Sequence, residues 1–279
     1  MEDDLRSERS INAQLREIEQ PHQIALALLA HVMDRSKTWL LAHPETYLSK
    51  AQADQLEELL KRLETGEPLP YLLGKQEFFG LEFEVDPSVL IPRPETELLV
   101  ETALEWLQAH PSARNGIDVG TGSGCIAISL VNRCPDLNIV ATDSSAAALE
   151  VAIRNAQSHS MTDRLCFAMC DLLPEDLQLV DLVCANLPYI PTKNLAEVNS
   201  LPWEPSLALD GGGSGLDLIS KLLGKLPPFL NHPALILLET EATLGLLILQ
   251  LAKSHFPVAE VSLIKDLFDR DRLIKIELK

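Results

Sequence analysis

The sequence predicts an α/β protein built on a mainly parallel sheet, with an antiparallel hairpin at its C-terminal edge and a small helical domain in front. Three observations carry this. Apolar residues recur at helical spacing up to about Gly66 and then change period. From about Gly116, short β-rich runs alternate with helical ones, the pattern of a parallel sheet covered by helices on both faces. The last two β-rich runs, VAEVSLI and RLIKIEL, are separated only by DLFDRD, which leaves no room for a crossover helix.

In chain order, Leu26, Leu29, Ala30 and Met33 share one helical face, and Leu56, Leu59, Leu60 and Leu63 share another. Ser49 and Gln52 are spaced as a capping box, and Glu57 and Lys61 as a favourable i,i+4 pair. GEPLP then interrupts the helix. EFFGLEFEV alternates about Gly80 like a short hairpin, and the proline-punctuated DPSVLIPRPETE follows as a linker. Next come GIDV with a helix from Cys125, NIVATD with SAAALEVAIRNAQ, RLCFA, VDLVCA, and ALILLE before a helix from Thr243. The expected domains are a helical one over 1–74, a hairpin and linker over 75–95, and the sheet domain over 96–279.

Composition narrows the partners. A formal net charge of −18 with no basic stripe disfavours binding to a bare nucleic-acid backbone and favours a protein or small-molecule partner. The five cysteines form no C-x-x-C pair and mostly lie in apolar runs, so reduced thiols in a cytoplasmic protein are expected. MEDDLRSERS is acidic where a signal peptide is basic, and the apolar run Leu244–Ala252 is too short to span a bilayer. Seven histidines without ligand spacing point to no metal site.

DVGTGSGCIAISL carries Gly120, Thr121, Gly122, Ser123 and Gly124 out of a strand and into a helix. Such a loop lets a ligand approach the backbone, and the helix N-terminus beyond it favours negative charge. Gly122, Gly124 and Ala127 also fit the dinucleotide pattern G-x-G-x-x-A, so a nicotinamide cofactor stays open at this point. Asp143 closes the next strand, where a carboxylate can accept both ribose hydroxyls of an adenosine. In VDLVCANLPYIP, Asn186 ends a buried strand at the same sheet edge. Its amide oxygen and the carbonyls of a rigid proline turn form an array of acceptors suited to a planar NH₂ group.

That turn, Asn186, Leu187, Pro188 and Tyr189, resembles the Asn-Pro-Pro-Tyr motif of methyltransferases that modify planar nitrogens with S-adenosylmethionine. PYLLGKQEFFGLEFEVDPSVLIPRPETELLVE, DVGTGSGCIAISL, ANLPYIP, WEPSLALDGGGSGLDLI and DLFDRDRLI, taken in order, resemble the release factor glutamine methyltransferases. The resemblance implies a Rossmann-like class I methyltransferase sheet. It also implies methylation of the glutamine in the Gly-Gly-Gln tripeptide of class I peptide chain release factors, supporting translation termination. A monomer that touches no nucleic acid directly is expected.

The same resemblance implies particular residue roles. Asp118 orients the methionine part of the cofactor, while Asp171 and Leu172 lie where the adenine binds. Tyr189 packs beside the target amide. Arg93, Pro94 and Glu95, in IPRPETE, cover the cofactor and glutamine pocket, and the N-terminal domain recognises the protein substrate. Two departures stand out: Leu187 replaces the first proline of the motif, and LLETEA replaces the more usual Glu-Ile-Gly. Only the backbone carbonyl of Leu187 is expected to matter. Gly211–Gly215 lacks the Lys-Ser/Thr of a phosphate loop and reads as a flexible connection. The rival readings are an adenine or cytosine methyltransferase acting on nucleic acid and a catalytically weak binding protein of the same fold.

Overall fold

The computed structural model describes residues 10–197 and 203–279, so nearly all of MEDDLRSERS lies outside the described residues. The chain divides into two compact units, one ending at Gly74 and the other beginning at Lys75.

The first unit consists of α1 (Ile11–Glu17), α2 (His22–Met33), α3 (Lys37–Ala42), α4 (Lys50–Glu64) and α5 (Leu69–Leu73). Serines 10, 36 and 49 begin α1, α3 and α4, and each side chain accepts from a backbone N–H in the first turn. At Ser49 the Gln52 side chain closes the reciprocal bond, completing the capping box. Lys61 meets Glu57 at 2.7 Å. Leu26, Leu29, Leu56, Leu59 and Leu60 are buried in one cluster, with Ala30, Met33 and Leu63 packed at its margin. The apolar faces therefore hold this unit together.

In the second unit, β1 (Lys75–Phe78) and β2 (Leu81–Glu84) form the hairpin, turning at Phe79 and Gly80, both with positive φ. Phe78 and Phe83 sink into the sheet domain's core. The Phe79 N–H donates to Glu97 at 2.8 Å, at the start of α6 (Glu97–Ala109). The hairpin thus packs as part of the second unit.

The sheet follows with β3 (Asn115–Val119), α7 (Cys125–Arg133), β4 (Asn138–Asp143), α8 (Ala146–Ser158), β5 (Leu165–Met169) and β6 (Val180–Ala185). It ends with α9 (Asp217–Lys225), β7 (Leu230–Glu239), α10 (Gly245–His255), β8 (Glu260–Lys265) and β9 (Asp271–Leu278). The strand order is β5-β4-β3-β6-β7-β9-β8, with β9 antiparallel to both its neighbours and the remaining pairs parallel. β7 begins at Leu230, four residues before ALILLE, and the following helix begins at Gly245 because Leu244 first bonds back to Glu241 in a turn. Cys125 and Cys184 are buried, but Cys166 is exposed because β5 is the sheet edge.

The strand order reverses between β3 and its neighbours β4 and β6. Ligands bind outside the carboxyl ends of strands at such a switch point. Here the register brings Val119 beside Thr142 and Ala185, so Gly120, Asp143 and Asn186 emerge at one edge. Among the described residues, no helix is long and apolar enough to cross a membrane.

Candidate active site

A cleft of about 440 Å³ opens above the carboxyl ends of β3, β4 and β6. Its floor is the glycine loop. Gly120 and Thr121 donate their N–H groups to Thr142 on β4 at 2.9 and 2.8 Å. Gly124 caps α7 with φ of +81°, and a Cβ there would stand 2.9 Å from Ile128 Cδ1, so both the turn and the packing of α7 demand glycine. A Cβ at Gly122, by contrast, would meet no protein atom within 4 Å and would stand in open space beside the cleft. That leaves room for a ligand to lie against the backbone.

Asp143 both shapes this loop and faces the cleft. Its Oδ2 accepts from Gly122 N–H at 3.0 Å and its Oδ1 from Ser145 N–H at 2.9 Å, the latter just before α8. Each carboxylate oxygen retains a lone pair for a further donor. Buried Asn155 fixes the loop from behind: its Nδ2 donates to the carbonyls of Ser123 and Glu84, and its Oδ1 accepts from Glu84 N–H. The hairpin, the glycine loop and α8 are thereby held by one side chain. Nothing in SAAALEVAIRNAQ marks this asparagine apart from its polarity on an otherwise apolar helix face.

Asp118 stands apart from the cleft lining. It is fully buried beneath the loop, off the cleft wall, and its Oδ2 accepts from the Thr121 hydroxyl at 2.6 Å. Burial pushes its carboxyl up to about 7 despite that bond. Its Oδ1 is buried without a hydrogen-bond partner among the described residues. Asp171 and Leu172 do line the cleft, although the Asp171 carboxylate is already paired with Lys221 of α9.

On the opposite wall, Asn186, Leu187 and Pro188 face the cleft, whereas Tyr189 does not. Tyr189 lies largely buried on the far side of the turn, where burial and the charges of Glu239 and Glu241 push its phenol up. Leu187 is also more than a carbonyl. Its side chain is 4% exposed, and a Cβ on Gly120 would lie 3.1 Å from its Cδ2, so it fills the space under the glycine loop. Gly211 and Gly215 correct the expectation of a flexible connection. A Cβ at either would come within 2.8 Å of the Pro188–Tyr189 backbone, so the glycine segment packs directly on the turn as a brace.

Of the IPRPETE residues, Arg93 lines the cleft and Pro94 and Glu95 do not; Glu95 instead approaches Arg272 at 4.0 Å. Glu204, which sequence reasoning missed, holds Arg93. Its buried carboxylate accepts from Arg93 Nη2 at 2.6 Å and from Ile91 N–H at 3.1 Å. Glu239 was also missed, and Thr96 was covered only as part of IPRPETE. Thr96 begins α6, yet its side chain makes no capping bond; it accepts from Asn186 Nδ2 at 3.3 Å. Glu239 ends β7 directly beside the turn, buried, with Oε2 lacking any partner. Burial pushes its carboxyl up to about 7, opposed first by Thr96 and also by Arg272 and Asn186.

A glycine loop with room for a ligand, a carboxylate facing the cleft at the end of β4 and an amide at the end of β6 suit an adenosine-bearing methyl donor. The fold and the site define a class I methyltransferase that uses S-adenosylmethionine. The matching families narrow this further. Residues 9–74 match the PrmC N-terminal domain and residues 94–201 the methyltransferase small domain. The release factor glutamine methyltransferase of Nitratidesulfovibrio vulgaris is 36% identical over 266 residues, covering 92% of this chain and 88% of that one. That of Moorella thermoacetica is 39% identical over 260 residues, covering 91% and 90%, and that of Bordetella pertussis 43% over 211, covering 74% and 77%. The chain belongs to the release factor glutamine methyltransferase family.

Among solved structures, the human Mettl16 catalytic domain in complex with an RNA hairpin matches with a TM-score of 0.56 at 16% identity, covering 96% of this chain and 95% of that one. A Thermus thermophilus 16S rRNA guanine methyltransferase in complex with AdoMet and guanosine matches at 0.54 and 15%, covering 74% and 50%. At these identities the likeness is one of fold.

Proposed function

We propose that this enzyme methylates the side-chain amide nitrogen of the glutamine in the Gly-Gly-Gln motif of class I release factors, acting in the cytoplasm as a monomer and supporting translation termination. The observation that carries the reading is the engaged amide of Asn186. With Nδ2 donated to Thr96, Oδ1 is the acceptor left for a ligand in the cleft. One N–H of the target glutamine bonds to Asn186 Oδ1 and the other to the backbone carbonyl of Leu187, which orients the NH₂ plane. Arg93, fixed by Glu204, covers the same cleft.

S-adenosylmethionine supplies an electrophilic methyl group on a sulfonium, held by the Gly120–Gly124 loop, Asp143 and the Asp171–Leu172 wall. An amide nitrogen is a poor nucleophile because its lone pair is delocalised, so orientation carries much of the catalysis, up to roughly 7–11 kcal/mol in favourable model systems. Transfer of that methyl from sulfur to the amide nitrogen would leave the nitrogen strongly acidic. Its proton passes to water, so no dedicated base is needed.

The unit ending at Gly74 is assigned recognition of the protein substrate; its match to the PrmC N-terminal domain supports this. A chain starting at Lys75 is expected to bind cofactor within a few-fold of the full enzyme and to lose methylation of the intact release factor. The central test offers labelled S-adenosylmethionine with a purified release factor, its Gln→Ala variant, and structured RNA or DNA. Label on the release factor alone is the expected result. Label on nucleic acid, or cofactor binding with no transfer, would overturn the proposal.

A further inference from the structure

An asparagine amide has nearly the same shape in its two flipped orientations but opposite polarity. In one, Asn186 presents an acceptor to the cleft; in the other it presents NH₂ to the substrate's own NH₂, which repels it. Thr96 cannot decide between them, because a hydroxyl accepts as readily as it donates. An ionised carboxylate can only accept. The register pairs Ala185 with Leu238, so the next residues along the two parallel strands are Asn186 and Glu239.

We infer that Glu239 is a positioning residue that sets the polarity of Asn186. Once ionised, its acceptor-only carboxylate draws the Thr96 hydroxyl and the Asn186 amide nitrogen inward and turns the amide oxygen toward the substrate. This rests on the reading of Asn186 as the group that holds the accepting amide. Two features of the structure support it. Thr96 ends the 3-10 turn Pro94–Thr96 that runs directly into α6, and its hydroxyl accepts from the Asn186 amide. Glu239 is also a poor choice for stability alone, since a buried carboxyl with Oε2 unpartnered costs the fold. The other groups that bear on it are Arg272 from β9, which favours its charge, and Glu95, which opposes it. Tyr189 and Cys125 feel that charge in turn.

The test uses the full chain and the variants Glu239→Gln and Glu239→Asp. Glutamine keeps the shape but both donates and accepts, whereas aspartate keeps the acceptor-only polarity. Turnover on a release factor is expected to fall at least tenfold in Glu239→Gln, with cofactor affinity and the release factor KM within threefold. In an Asn186→Ala background the same change should cost less than twofold.

A second readout does not depend on activity. The side-chain NH₂ of Asn186, assigned in ¹⁵N spectra by its loss in Asn186→Ala, should exchange with solvent at least tenfold faster in Glu239→Gln and stay slow in Glu239→Asp. Unchanged exchange in the glutamine variant would overturn the inference, as would equal loss in both variants or a tenfold turnover cost that persists without Asn186. A glutamine variant that fails to fold would overturn it too, by showing that Glu239 serves the structure. A wild type that does not methylate release factors would sink the substrate reading alone, leaving the exchange experiment to decide this one.

Discussion

The side-chain nitrogen of Asn186 donates to the hydroxyl of Thr96 across 3.3 Å, joining the turn after β6 to the start of α6. Removing that hydroxyl takes away one contact that holds the amide plane. Thr96→Val, which keeps the side chain's shape, is expected to lower turnover about tenfold while leaving cofactor affinity within a few-fold, as when an orienting contact is lost. Single-turnover kinetics beside calorimetry separate the two quantities. Equal losses in both would place Thr96 in the cofactor site instead.

Asp143 anchors the glycine loop and, in the proposed site, also the cofactor with the same carboxylate. Asp143→Ala removes the partner of Gly122 and Ser145 as well as the two charge-assisted bonds proposed to a ribose, each worth roughly 1.5–3 kcal/mol before water compensates. Affinity for S-adenosylmethionine should fall at least tenfold by calorimetry, together with a lower melting temperature. Asp143→Asn retains one acceptor and should fall between wild type and alanine. Unchanged affinity in the alanine variant would remove Asp143 from the site.

Leu187→Pro sets two effects against each other. Proline restricts the unfolded chain, a gain of about 0.4–1 kcal/mol where the backbone suits it, and Pro188 already biases this residue toward extended geometry. Against this, a buried leucine side chain under the glycine loop is lost, and each buried methylene contributes about 0.8 kcal/mol. Sequence reasoning alone favours a small gain; with the burial included, the expected result is a net loss of about 1 kcal/mol in denaturant titration, with turnover changed less than tenfold. A variant more stable than wild type would show that the leucine contributes little packing.

Asp118 and Glu239 both have carboxyls raised to about 7 by burial. Between the ordinary carboxylate value and 7, the folded state holds protons that the unfolded state has released. Stability is therefore greatest below that window and falls as pH rises through it, by up to about 1.4 kcal/mol per pH unit for each group. Carboxyls held down by arginine, such as Asp136 and Asp266, act below this range and do not mask it. Urea titrations from pH 5 to 7.5 should show the decline, and Asp118→Asn should flatten it. Turnover should move the opposite way, rising toward neutral pH as Glu239 ionises. A flat stability profile in the wild type would contradict the raised values.

The sequence by itself determined the elements and much of the site. Helical period marked α2 and α4, and Ser49–Gln52 fixed a helix start, because these signals lie within a few residues of one another. The βα alternation implied a parallel sheet, and from that alone Gly120–Gly124, Asp143 and Asn186 had to share one edge. Tertiary structure decided what holds those residues. Thr96 meets Asn186 from 90 positions away, and Glu204 meets Arg93 and Ile91 from more than 110. Sequence spacing carries no trace of such pairings, which arise only when α6 is laid against the sheet. Burial was hidden for the same reason: Leu187 looked like a turn residue and Gly211–Gly215 a loose link, until packing set the leucine side chain under the glycine loop, Asp118 fully buried beneath it and the glycines against the turn. Polarity was hidden as well, since whether Asn186 accepts or donates depends on an acid that the next strand alone brings beside it.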